Sequence, residues 1–133
     1  MNKPLLETKG LVSGYGKSVI LRGVSILVNE GNLVAIVGPN GSGKTTLIKS
    51  IYGLAKVFES SVFYEGKEIT KLPPHQLTEL GLSYMPQMDN VFPSLTIEEN
   101  LEMGAYIRND RSAVQKDVKE ILKLFPVLEE RRT

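Results

Sequence analysis

No cysteine occurs among the 133 residues. Disulfides, thiolate nucleophiles and zinc–thiolate sites are therefore excluded, which fits a reducing compartment. Neither sign of charge is in excess. A formal net charge of +1 gives no global pull toward nucleic acid or anionic lipid. Long apolar runs are missing too. The longest, LVAIV at 33–37, is far too short to cross a bilayer, so any membrane role is expected to run through a partner. The N-terminal MNKPLLETKG lacks the apolar core of a secretory signal. There is no internal repeat and no low-complexity linker. What remains is 41% hydrophobic and 23% charged, ordinary for a soluble globular chain, and long enough for one domain with a core.

Residues 5–30 read as short strands interrupted by Gly10 and Gly14, with a turn at NEGN, 29–32. LVAIV, apolar throughout, has the look of a parallel strand buried on both faces. A helix is expected over TTLIKSIYGL, with Leu47, Ile48 and Ile51 on its apolar face and Gly53 just past its end. SVFYEGKEI reads as a hairpin turning at Glu65-Gly66. PPHQLTEL reads as a short helix opening at its prolines, and GLSYM at 81–85 as a further strand. Thr96 and Glu99 have capping-box spacing, which predicts a helix to about Tyr106. Val114, Val118, Ile121, Leu122 and Phe125 share one face of a last helix, capped by Asp110 or Ser112.

The stretch that carries chemistry is Gly38-Pro39-Asn40-Gly41-Ser42-Gly43-Lys44-Thr45, followed by Thr46. It fits G-x-x-x-x-G-K-[ST] in full. Glycines let successive N–H groups curl inward around an anion, and the following helix adds its partial positive charge. Lys44 supplies a full positive charge for the β- and γ-phosphates. The Thr45 hydroxyl is a hard oxygen suited to Mg²⁺. Without a ligand the same stretch would be a glycine-rich turn, but its place between an apolar run and a helix favours phosphate. Neither N-K-x-D nor D-x-x-G, the guanine-reader and switch motifs of GTPases, is present, which leans toward adenine.

Beyond the loop, YGKSVILRGVSILVNEGNLVAIVGPNGSGKTTLIKSIYGL and GLSYMPQMDNVFPSLTIEENLEMGAY resemble the N-terminal portion of ABC-transporter ATP-binding subunits. VFPSLTIEENLEMGAY is most similar to the ATPases of branched-chain amino-acid uptake. The resemblance implies an α/β P-loop core, incomplete, with an antiparallel β subdomain. Residues 1–94 would form the β subdomain and core, and 95–133 the start of a helical subdomain. It implies ATP and Mg²⁺ as cofactors, Tyr15 as the residue stacking on adenine, and Gln87 as the Q-loop glutamine that joins Thr45 at the metal. By itself each has a plainer reading, Tyr15 as a packed strand end and Gln87 as a solvated loop residue. Implied partners are a transmembrane permease meeting 88–106, with Val91, Phe92 and Leu95 as its apolar contacts or else core residues, and a second ATP-binding subunit in a homo- or heterodimer. Nucleic acid is not implied. The place would be cytoplasmic, peripheral on the inner face of the membrane.

The family's signature motif, Walker B carboxylates and switch histidine are not found in these residues. In relatives the signature comes soon after a segment like FPVLEERRT, so the chain is expected to stop just before it. His75 lies ahead of the Q-loop and reads as a surface residue. Glu98-Glu99 reads as helix capping, Glu129-Glu130 as a solvated helix end, and Arg131-Arg132 as too small for a nucleic-acid patch. The expected behaviour is Mg-ATP binding with negligible turnover, and self-association or marginal stability from the unpaired LVAIV strand. Alternatives are a small non-hydrolysing nucleotide-binding regulator, a soluble ABC protein without a membrane partner, and a remnant that binds nothing.

Overall fold

The computed structural model describes residues 4–131, so the first three residues and Arg132 of the basic pair lie outside the described residues. The chain divides into two compact units, Met1–Tyr84 and Met85–Thr133.

In the first unit β1 (Pro4–Tyr15) and β2 (Ser18–Asn29) form an antiparallel hairpin. These are two long strands where the glycines suggested short ones. Register shifts beside Gly10 absorb the irregularity as bulges instead of ending the strand. Gly14 is required for another reason. A Cβ there would run into the Ser18 carbonyl oxygen, so only glycine lets the hairpin close. The opposite edge of β1 takes β3 (Lys56–Glu59) beside Val12–Gly14 and β4 (Val62–Tyr64) beside Leu6–Thr8. β4 turns back into β5 (Lys67–Glu68) through Glu65 and Gly66, both at positive φ, the turn expected from sequence. The sheet order is β2-β1-β4-β5, with β3 also on β1.

Helix α1 (Lys44–Ile51) lays Leu47 and Ile51 on this sheet, joining Leu11, Leu21, Val62, Ile69 and Leu77 in one core. Ile48, expected on that face, is exposed. Its place is taken by Ser50, whose hydroxyl donates to the Thr46 carbonyl (2.6 Å) and lies 2.6 Å from the Ser13 hydroxyl. Ser13 therefore donates to Ser50, and every polar atom of this buried pair is satisfied. Gly53 follows the helix at φ +70°, as a C′ glycine should. Helix α2 (Pro74–Glu79) starts at the prolines and buries Leu77.

Two strand expectations fail. Residues 33–37 and 81–85 carry no ladder bonds. Leu33 is 100% exposed and Val37 91%, where a doubly buried strand was expected. Apolar composition makes a segment fit for a sheet, but a strand exists only when a second strand meets its N–H and C=O groups. Among the described residues none does. Tyr84 instead stacks at a tilt on Tyr52, ring centroids 5.5 Å apart.

The second unit holds α3 (Ile97–Met103), α4 (Arg111–Leu124) and the single turn α5 (Pro126–Glu129). α3 ends at Met103, short of Tyr106. Val118 and Leu122 of α4 are buried as the periodicity predicts, but Phe125 is 57% exposed. Pro126 forces the residue before it out of helical geometry, so Phe125 leaves the apolar face at φ −124°, ψ 76°. Asp110 occupies the α4 N-cap position without a capping bond, because Arg108 takes its carboxylate (2.9 and 2.6 Å).

Candidate functional site

The loop 38–43 bends back on itself, with Ser42 N–H donating to the Pro39 carbonyl (3.3 Å). Gly41 and Gly43 lie at φ +81° and +90°, the left-handed region where other residues are strained. Gly43 is the N-cap of α1 and offers no side-chain acceptor; no acidic residue occupies the first turn. The first helical bond runs from Leu47 N–H to the Gly43 carbonyl (2.9 Å). The N–H groups of Lys44, Thr45 and Thr46 are thus left for an outside acceptor, and the helix start favours a negative one.

Lys44 folds back over the loop. Its Nζ donates to the carbonyls of Gly38 and Pro39, each at 2.7 Å. An ammonium has three protons, so one donor remains. A Cβ at Gly38 would sit 2.8 Å from Ser42 Oγ, which means the loop is closed to side chains along its inner wall. The backbone here is a cradle of glycine, amide and one cation. Its donor set matches a phosphate chain.

The rest of the predicted site is distributed as follows. Asn40 and Ser42 are exposed in the loop. Thr45 is exposed, leaving its hydroxyl open to solvent, whereas the Thr46 side chain is buried against the core. Thr46 can therefore serve a ligand through its N–H and not its hydroxyl. Tyr15, 43% exposed, ends β1 opposite Ser18 in the hairpin. Leu21, against which Gly43 packs, is three residues farther along β2, about 10 Å at the rise of a strand. Gln87 is exposed in an irregular loop of the second unit, whereas Thr45 belongs to the first. The described residues hold no group of three or more His, Asp or Glu able to ligate a metal.

The segment 88–106 is built around a residue that the sequence reading missed. The Asn100 side chain accepts from Phe92 N–H (2.7 Å) and donates to the carbonyls of Phe92 (3.0 Å), Leu95 (3.2 Å) and Thr96 (2.9 Å). It ties the loop to α3 and leaves Val91 and Phe92 exposed, with Leu95 half-buried. The Thr96–Glu99 capping box forms as expected: Thr96 Oγ1 accepts from Glu99 N–H (3.2 Å), and Glu99 Oε2 from Thr96 N–H (2.7 Å). The Thr96 backbone and hydroxyl bonds hold the Glu99 carboxyl below its ordinary value. Arg108 binds Asp110 and also Asp117 (2.6 Å), which lowers the Asp110 carboxyl and raises the guanidinium. His75 is an exposed residue of α2.

Compared with known proteins, residues 21–133 match the family model described as ABC transporter; Tyr15 precedes that span. A probable branched-chain amino acid transport ATP-binding protein of Archaeoglobus fulgidus is 48% identical over 93% of this chain and 52% of its own length. The high-affinity branched-chain amino acid transport ATP-binding protein of Pseudomonas aeruginosa is 38% identical over 88% of this chain and 50% of its own. A lipopolysaccharide export system ATP-binding protein of Haemophilus influenzae is 32% identical over 92% and 52%. Among solved structures, an ATP-binding subunit of an ABC transporter superposes with TM-score 0.79 at 29% identity, covering 96% of this chain and 52% of that one. The ADP conformation of an ATP-binding cassette gives 0.66 at 38% identity, covering 81% and 42%. The chain thus spans about half the length of the relatives it matches. Its fold is part of a P-loop α/β cassette, with the antiparallel sheet and first helices.

Proposed function

This chain belongs to the ABC transporter family of ATP-binding subunits, and from that membership we propose that it is the nucleotide-binding part of an ATPase that powers solute import. The observation that carries the reading is Lys44, its ammonium held over the Gly38–Gly43 loop at the uncapped start of α1. In this reading the amides of 41–46 and Lys44 bind the phosphates of ATP, and Tyr15 stacks on the adenine. Thr45 contributes its hydroxyl to Mg²⁺, which when bound would offset phosphate charge. Gln87 acts as the Q-loop residue. The exposed Val91 and Phe92, fixed by Asn100, meet a transmembrane permease, and a second ATP-binding subunit completes the dimer. The place is the cytoplasmic face of the membrane. Branched-chain amino acids are the proposed solutes, supported by relatives so named at 48% and 38% identity, above the export-system relative at 32%.

Hydrolysis requires groups that position water as well as a phosphate cradle. These 133 residues contain the cradle and no Walker B carboxylate pair. The chain alone therefore binds Mg-ATP without appreciable turnover. Calorimetric titration with Mg-ATP, beside a phosphate-release assay, tests this. Lys44→Ala removes a charge-assisted bond worth about 1.5–3 kcal/mol, so affinity should fall about 10- to 150-fold. Equal affinities for wild type and Lys44→Ala would remove the phosphate reading. Steady turnover that Lys44→Ala abolishes would remove the binding-only reading.

A further inference from the structure

The buried Ser13–Ser50 pair has no task in the phosphate reading so far. The two serines lie 37 positions apart in sequence, and Ser13 is 0% and Ser50 1% exposed. Packing does not call for hydroxyls here, since α1 already reaches the core through Leu47 and Ile51. Replacing both partners of a buried hydrogen bond by apolar groups is close to neutral, and a serine that bonds the carbonyl four residues back weakens a helix slightly. What distinguishes the pair is where its bonds lead. Ser13 Oγ donates to Ser50 Oγ (2.6 Å), which donates to the Thr46 carbonyl (2.6 Å). That carbonyl shares one planar, conjugated peptide with Leu47 N–H. Leu47 N–H donates to the Gly43 carbonyl (2.9 Å), which shares a second such peptide with Lys44 N–H. Lys44 N–H is the first of the amides left for an outside acceptor at the start of α1. Three bonds thus run head to tail from the buried face of β1 to the phosphate cradle.

We propose that Ser13 and Ser50 are positioning residues for phosphate binding, acting through the Thr46–Leu47 and Gly43–Lys44 peptides to strengthen and aim the Lys44 amide. The inference rests on the phosphate reading of the Gly38–Thr45 loop. In a chain of hydrogen bonds each member polarises the next, and the effect is largest where water is excluded. Ser13, Thr46, Leu47 and Ser50 are all buried, so the chain is dry up to its last link. Both serines act without touching phosphate. Cooperative strengthening is about 10–30% per bond, and the bond it reaches is one to a charged acceptor. That amounts to about two- to fivefold in affinity. The same pair fixes α1 to β1, the strand that ends at Tyr15, so the start of the helix is held at a set distance from the sheet.

Ser13→Ala, Ser50→Ala, the double variant and Lys44→Ala, each made in the 133-residue chain, test this. Ser50→Ala leaves the Ser13 hydroxyl buried without its acceptor and should be the least stable of the serine variants. The double variant removes that orphan, so its urea midpoint should return close to wild type. If the pair served stability alone, affinity would recover with it. The proposal has affinity about two- to fivefold down in Ser50→Ala and in the double variant alike, for Mg-ATP and for magnesium tripolyphosphate. The Lys44 amide proton of the bound form should move upfield in both. Ser13→Ala keeps the Ser50 bond to Thr46 and leaves no orphan donor, so it should fold as wild type and lose less affinity. Wild-type affinity in the double variant, or an unmoved Lys44 resonance, overturns the proposal. A loss confined to Mg-ATP also overturns it, since that would place the effect at Tyr15. Lys44→Ala separates the two levels of the reading. Loss of affinity there, with wild-type affinity in the double variant, removes only the role of the serines. Undiminished affinity in Lys44→Ala removes the phosphate reading and this inference with it.

Discussion

Replacing Gly43 by alanine adds one methyl group where the phosphate loop meets the sheet. Gly43 lies at φ +90°, ψ 5°, which costs a non-glycine residue about 1–2 kcal/mol. The new carbon would stand 2.6 Å from Leu21 Cδ2, against about 3.5–4.0 Å for carbons in contact. Leu21 is only 5% exposed, so it cannot swing into solvent, and overpacking of this kind costs about 1–3 kcal/mol. The total is about 2–5 kcal/mol. Gly41→Ala separates the two contributions. Gly41 lies at φ +81° but has nothing within 4 Å of a Cβ, so it carries the backbone cost alone. The two variants should differ by about 1–3 kcal/mol, or about 1 M in urea midpoint at an ordinary slope. Far-ultraviolet circular dichroism of the sheet follows this, since the described strands all lie in the first unit. Leu21→Ala added to Gly43→Ala should cost less than the sum of the two single changes. Coincident midpoints for Gly41→Ala and Gly43→Ala would show that Leu21 does not confine the loop.

Asn100→Ala should leave α3 helical but free the loop, raising hydrogen exchange at the Phe92 amide about 5-fold, the loss of a bond worth about 1 kcal/mol. Unchanged exchange would mean that Phe92 is held by something else. Glu99 gives a pH dependence. Its carboxyl is depressed in the folded chain, so its contribution to the α3 start is complete above the ordinary value of 4.5 and is lost as pH falls through the lowered one. Opening of the Ile97–Glu99 amides, read as exchange relative to its intrinsic rate at each pH, should rise in that acid range for wild type and stay flat for Glu99→Gln. A pH-dependent rise in Glu99→Gln would assign the effect to another group.

The parts that the sequence made legible are those whose cause is local. Gly38–Thr45, the Thr96–Glu99 box, the Glu65-Gly66 turn and the proline start of α2 each depend on residues a few positions apart. The Arg111–Leu124 helix was legible by period, and only Phe125 was misplaced, since the pattern was read past Pro126. Leu33–Val37 and 81–85 were read as strands because composition reports fitness for a sheet and is silent about a partner. β3 was missed although KVFE is apolar at its centre, because four residues give too little periodicity. Ser50 on a helix looks like a surface residue until Ser13, distant in sequence, is placed beside it. Asn100 likewise reads as an ordinary polar helix residue, and only the path of the loop above it reveals four bonds.

β1 hydrogen-bonds along both of its edges, to β2 on one and to β3 and β4 on the other. Its pairing with β2 closes through two residues and can form within microseconds of those residues being available. Its pairing with β4 brings Thr8 to Val62 and must first overcome the entropy of a much longer loop. Assembly is thereby ordered in time. During synthesis the hairpin can be in place before β4 is available to pair with β1, so the second edge of β1 is filled on a ribbon that already exists.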